Sequence, residues 1–155
     1  MDFFAIKVGL CRNGLGAGVR LRLHVRGTSM IPALWPRESI WVEPSSIEYL
    51  RLGEVVVFAR DRQLIAHRIV DVRRSADGLT VITRGDARHD DDMPVRPAEV
   101  VGVARVARRF RSERPIVCRP SRVARAVSWL VRRSDFARFL LSGIHSRLLI
   151  KATAT

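Results

Sequence analysis

The chain has 155 residues, of which 47% are hydrophobic and 28% charged. That balance fits one domain of ordinary size with a short extension, and it excludes a disordered tail or a bare membrane segment. Two cysteines (Cys11 and Cys118) and four histidines in no metal-ligand spacing leave neither a disulfide framework nor a zinc site of the usual kind, so no metal or other cofactor is expected.

Charge is unevenly placed. Residues 1–103 carry 15 basic and 13 acidic side chains, whereas residues 104–155 carry 13 basic and 2 acidic ones. A near-neutral body is followed by a strongly basic end. At the N-terminus the apolar run Phe3–Ile6 stops at Lys7, and no signal-peptide core follows it. Elsewhere charges interrupt every apolar stretch before the roughly 20 residues that a membrane helix needs. The expectation is a cytoplasmic or peripherally membrane-associated chain. Gly14, Gly16 and Gly18 crowd together, so residues 12–18 read as a connector and residues 1–19 as a flexible segment ahead of the domain.

Leu21, Leu23 and Val25 then alternate with Arg20, Arg22, His24 and Arg26, the period of a half-buried strand. Short β-branched runs follow at 39–42, 54–58, 64–72, 79–83 and 100–106. Turn signals separate them at Pro36, Pro44, Gly53, Asp61-Arg62, Asp77-Gly78, Pro94 and Pro97. Closely spaced strands with such breaks predict a mainly β domain over residues 20–107. From Pro120 the period changes. Val123, Ala126, Val127, Leu130 and Val131 recur at helical spacing with Arg122, Arg125, Arg132 and Arg133 on the opposite side, and a second apolar face follows Asp135. Residues 108–155 are therefore expected to form a basic amphipathic helical extension. An apolar stripe opposite arginine, with Trp129 beside it, suits an anionic membrane surface or a protein partner. Packing on the domain ranks next. Nucleic acid ranks last, because no recognised nucleic-acid motif accompanies the charge.

Three segments carry candidate chemistry. The first, Gly27-Thr28-Ser29-Met30-Ile31-Pro32-Ala33-Leu34, follows the first strand and sets a serine on a constrained turn. The second runs from Gly53-Glu54-Val55-Val56-Val57-Phe58 into Leu64-Ile65-Ala66-His67-Arg68-Ile69-Val70, a hairpin with a histidine among apolar residues. The third is Thr83-Arg84-Gly85-Asp86, followed by Asp90-Asp91-Asp92. In this order the three segments resemble the signal peptidase I superfamily, which includes the self-cleaving SOS-response repressors. The histidine-bearing stretch and the aspartate pair Asp86 and Asp92 are similar to the archaeal, endoplasmic-reticulum and spore-former branch, where histidine replaces the general-base lysine.

That resemblance implies a signal-peptidase-like β domain and a serine endopeptidase acting on a protein or peptide substrate. Ser29 would be the nucleophile and His67 the general base. Asp92 is favoured to orient His67, with Asp91 and Asp86 behind it. Met30 and Pro32 would frame the substrate groove. Elementary chemistry agrees: a serine hydroxyl needs a base within hydrogen-bond reach, and the base needs an orienting group. Lys7 and Lys151, the two lysines, lie outside the matched region, whereas histidine exchanges a proton near neutrality. The sequence departs from the family at three places, the gravest being the N-terminal membrane anchor, which is not expected here because the apolar run at Phe3–Ile6 stops at Lys7. Gly27-Thr28 stands where Ser-Gly is common, so the earlier serine's side-chain donor to the oxyanion is missing, leaving the Ser29 N–H and Thr28 as donors. Arg37-Glu38 stands where Gly-Asp is usual, a turn variation. The plainer alternatives are a turn serine, a strand histidine satisfied by a neighbour, a solvated acidic loop, and an Asp86 that holds a turn or a buried ion pair. Together they would describe a non-catalytic basic adaptor of the same fold, binding a protein partner or nucleic acid.

Overall fold

The computed structural model describes residues 3–76, 78–109 and 112–118, together with 126 and 129. Among these residues seven strands form one antiparallel sheet: β1 (Leu21–His24), β2 (Ser39–Glu43), β3 (Val55–Arg60), β4 (Gln63–Ser75), β5 (Gly78–Arg84), β6 (Val100–Arg109) and β7 (Ser112–Pro115). Their order is β1-β2-β6-β3-β4-β5, and β7 pairs β6 off that path. The mainly β expectation holds, and the strands read from alternation at 21–25 and from the β-branched runs all appear.

The run Val55-Val56-Val57-Phe58 is buried throughout because the sheet is covered on both faces. Val55 and Val57 point into a cluster with Met30, Leu34, Ile40, Val42, Ala104 and Ala107. Val56 and Phe58 point the other way, among Ile47, Leu50, Ile69, Val81, Val95 and Val103. The β3–β4 hairpin closes at Arg60↔Gln63, with Asp61 (φ 49°) and Arg62 (φ 58°) both left-handed. Two left-handed residues make the turn whose twist matches that of the strands, and this fixes which residues of β4 face which side.

Two boundaries are corrected. The N-terminal part is not a flexible connector: Phe3–Gly16 forms helix α1, and its Val8 and Leu15 are buried in the first cluster. Apolar side chains at 8, 11 and 15 lie on one helical face and have the sheet to bury against, which outweighs the low helix propensity of glycine. The domain also does not end at Ala107. β6 runs to Arg109, and β7 folds back on it with Val106↔Pro115 and Arg108↔Glu113 in register. The basic helical extension, with Arg122, Arg125, Arg132 and Arg133, lies outside the described residues. Among the described residues no helix is long and apolar enough to cross a membrane.

Candidate active site

Ser29 sits in a loop pinched at its base. The Arg37 N–H donates to the Val25 carbonyl at 2.8 Å, and the Val25 N–H donates to the Glu38 carbonyl at 2.8 Å. Within the loop, Leu34 N–H donates to Met30 O, and Met30, Ile31 and Leu34 are buried. These apolar residues anchor the turn from below and leave Thr28, Ser29 and Pro32 half-buried at its surface. Arg37 has a φ of 71°, the left-handed conformation that glycine adopts most readily. Arg37 thus takes up a glycine-like backbone without being glycine.

A second loop holds the serine from the other side. The Ala87 N–H donates to the Ser29 carbonyl at 2.7 Å. Gly85 lies so close that a Cβ there would come within 2.6 Å of the Ser29 carbonyl oxygen and 3.0 Å of the Ser29 Cβ. A side chain at 85 would displace the serine backbone, so glycine is required there by close approach.

The serine hydroxyl faces β4. Ser29 Oγ lies 2.9 Å from His67 Nε2, and His67 Nδ1 lies 2.6 Å from Asp92 Oδ2. An ionised carboxylate only accepts hydrogen bonds, so Nδ1 carries the imidazole proton and donates to Asp92. In the neutral ring Nε2 is then the acceptor, and the serine O–H donates to it. His67 is buried, and its ring meets Phe58 edge-on with centroids 6.3 Å apart. Phe58 thereby fixes the ring plane from the second core cluster.

Asp92 is positioned by two further elements. Its N–H donates to the Thr83 carbonyl at 2.8 Å, and the Thr83 hydroxyl donates to its Oδ2 at 2.7 Å. Just beyond it, Arg60 pins the chain by donating to the carbonyls of Met93 (2.8 Å) and Pro94 (2.9 Å) while gripping Glu99 through Nε and Nη2. Burial is the largest single influence on the Asp92 carboxyl and pushes its pKa up. The hydrogen bonds from His67 and Thr83, with the charges of His67 and Arg60, together outweigh it and hold the carboxyl below its ordinary value.

Asp86 is not brought to the imidazole. Its two oxygens accept from Arg68 Nε and Nη2, both at 2.8 Å, in a buried fork. The buried ion pair, one of the alternatives left open for it, is formed. Strand alternation explains the pairing, since Arg68 follows His67 in β4 and so faces the opposite side of the sheet. Asp91 points away as well, to Arg84 at 3.2 Å. Thr83, Gly85, Arg60 and Arg68 were not singled out from the sequence. A threonine directly after Val81 and Ile82, two residues ahead of a glycine, was the available signal for the first two.

The arrangement is a relay of carboxylate, imidazole and hydroxyl drawn from three separate segments, which is the geometry for raising serine nucleophilicity. Among the described residues the Ser29 N–H has no hydrogen-bond partner. Among the same residues no group of three or more His, Cys, Asp or Glu side chains is placed to hold a metal ion. No family model and no curated protein matches the chain.

Proposed function

We propose that the protein is a serine endopeptidase of the signal peptidase I type, working through an acyl-enzyme. The observation that carries this reading is the unbroken contact from Asp92 through His67 to Ser29, at 2.6 Å and 2.9 Å. Ser29 Oγ attacks the carbonyl carbon of a peptide bond while His67 Nε2 takes the hydroxyl proton. The imidazolium that forms is stabilised by Asp92 at Nδ1. The oxyanion of the tetrahedral intermediate is met by the Ser29 N–H, with Thr28 beside it. As the intermediate collapses, His67 returns the proton to the leaving amine. Water then attacks the acyl-serine with His67 again as base, and Ser29 is restored.

An extended substrate has a natural path along β1. That strand lies at one end of the sheet order and leads directly into the serine loop, so a peptide can add to its outer edge, which pairs with no other strand among the described residues, and present its carbonyl to Ser29. Met30 and Pro32 shape the floor of that approach. The basic end of the chain, with Arg122, Arg125, Arg132 and Arg133, suits a peripheral hold on anionic lipid or an acidic partner.

The deciding experiment is covalent labelling with a small serine-directed fluorophosphonate, followed by peptide mapping. Wild type should carry the adduct on Ser29, and Ser29→Ala should carry none. Wild-type protein that stays unlabelled while folded would leave the adaptor reading in its place.

A further inference from the structure

Arg114 on β7 reaches across to the loop that carries Ser29. Its Nη2 donates to the Ala33 carbonyl at 2.7 Å and to Glu38 Oε2 at 2.9 Å. Glu38 is only 2% exposed, and the same Oε2 also accepts the Trp35 N–H at 3.1 Å. Its Oε1 is buried with no hydrogen-bond partner among the described residues. A carboxylate taken this far from water is stable only beside a cation, and Arg114 supplies one. The two groups that Arg114 grips belong to the second half of the pinched loop, and Glu38 is itself one of the residues that closes the pinch on Val25.

The chain just beyond β7 ties down the base side of the site. The carbonyls of Val117 and Cys118 accept from Arg68 Nη1 at 2.8 Å and 3.4 Å, and Arg68 adjoins His67 in β4. Gly53, whose own carbonyl also accepts from Arg68 Nη1 at 2.7 Å, packs against the Cys118 backbone so closely that no Cβ fits there. The segment Ser112–Cys118 therefore touches both the serine loop and the residue next to the base, and it leads directly into the basic end.

Resting on the peptidase reading above, we propose that Arg114 is a positioning residue for the nucleophile. Through Glu38 and Ala33 it sets where the loop presents the Ser29 hydroxyl to His67, which makes the segment ahead of the basic tail a working part of the site. Proton transfer from serine to imidazole tolerates little displacement, and a shift of about 1 Å can cost roughly a hundredfold in rate.

The test uses the full-length chain. The rate of Ser29 acylation by a small p-nitrophenyl ester, read from nitrophenol release, should fall about ten- to a hundredfold in Arg114→Ala, measured well below that variant's unfolding temperature. Arg114→Lys, which keeps a donor and a charge, should recover most of the loss. The pH dependence of acylation should keep its midpoint, because His67 and Asp92 are untouched. Glu38→Gln should slow acylation too, and the Arg114→Ala/Glu38→Gln pair should be no slower than the worse single variant, since both act through one contact. A folded Arg114→Ala protein acylated at the wild-type rate would overturn the proposal. Should wild type itself not be acylated, the peptidase reading fails, and amide hydrogen exchange then decides the placement role. Faster exchange across residues 30–38 in Arg114→Ala supports it, and unchanged exchange refutes it.

Discussion

The serine loop between Val25 and Glu38 and the outer half of the β4–β5 hairpin are opposites. The loop has no regular secondary structure, yet it is held by Val25 at its base, by Ala87 and Gly85 at Ser29, and by Arg114 at Glu38. The outer hairpin is fully regular, pairing Asp71↔Ile82 through Ser75↔Gly78, but Asp71, Arg73, Arg74 and Ser75 are all exposed. Regularity and fixation are thus separate properties here. In the hairpin the backbone ladder bears the structure and the side chains are free to vary. In the loop, single side chains and single close approaches bear it, so substitutions there should register in both activity and stability.

The largest effects should come from the relay itself. His67→Ala and Asp92→Asn are each expected to lower acylation of Ser29 by about 10³-fold or more, with the fold retained by circular dichroism. Asp92→Asn is the sharper test, because it keeps the shape and the Thr83 contact while removing the charge that fixes the Nδ1–H tautomer. Combining either change with the other should add little, since members of one relay act as a unit. Near-wild-type acylation in His67→Ala would remove the chemical basis of the comparison.

Next in size is the buried fork between Arg68 and Asp86. Asp86→Asn leaves the guanidinium without its counter-charge, and a broken buried pair typically costs about 3–5 kcal/mol. Urea unfolding should show that loss. A change under about 1 kcal/mol would mean that the remaining carbonyl acceptors on Arg68 suffice. The pair also marks what the sequence could and could not reveal. Ser29, His67 and Asp92 were legible because three short segments, each weak alone, resemble the signal peptidase I superfamily when taken in their order. Asp86 and Asp92 both belong to such a segment, and nothing in their spacing says which one meets the imidazole. That choice is made by the face of β4 on which Arg68 emerges and by the Thr83 hydroxyl, both of which depend on strand register. β7 was invisible for a related reason. Ser-Glu-Arg-Pro has neither alternation nor β-branched residues, and it becomes a strand only because β6 offers a free edge beside it. The apolar positions of α1 were readable, but the three glycines argued for a turn and outweighed them.

A smaller, graded effect concerns acid. The Asp92 and Glu99 carboxyls are both held below their ordinary values: Asp92 against the pull of burial by His67 and Thr83, and Glu99 chiefly by its hydrogen bond from Arg60. A carboxyl with a depressed folded-state pKa contributes stability that is complete above its unfolded pKa of about 4, and that stability is lost as pH falls through the folded value. Urea midpoints should therefore be insensitive to these two groups at pH 6 and decline below about pH 4. Asp92→Asn should flatten part of that decline. An acid limb identical in wild type and variant would show that Asp92 gains nothing from its neighbours on folding.

The smallest expected effect lies at the hairpin. Arg73 Nε and Asp71 Oδ2 are 3.0 Å apart, with side chains 60% and 51% exposed. Asp71 has a lowered pKa, first through its hydrogen bond from Arg73 and then through one from the Val72 N–H. The pair carries little stability, because water and salt screen exposed charges and ordering two free side chains offsets the attraction. Arg73→Ala should leave the urea midpoint indistinguishable from that of wild type, and it should leave Ser29 acylation unchanged. The backbone ladder Arg73↔Thr80 survives the substitution, and neither residue of the pair reaches the serine loop. A loss as large as that of Asp86→Asn would show that the outer hairpin is fastened by its side chains after all, and the distinction between regular and fixed regions would fall with it.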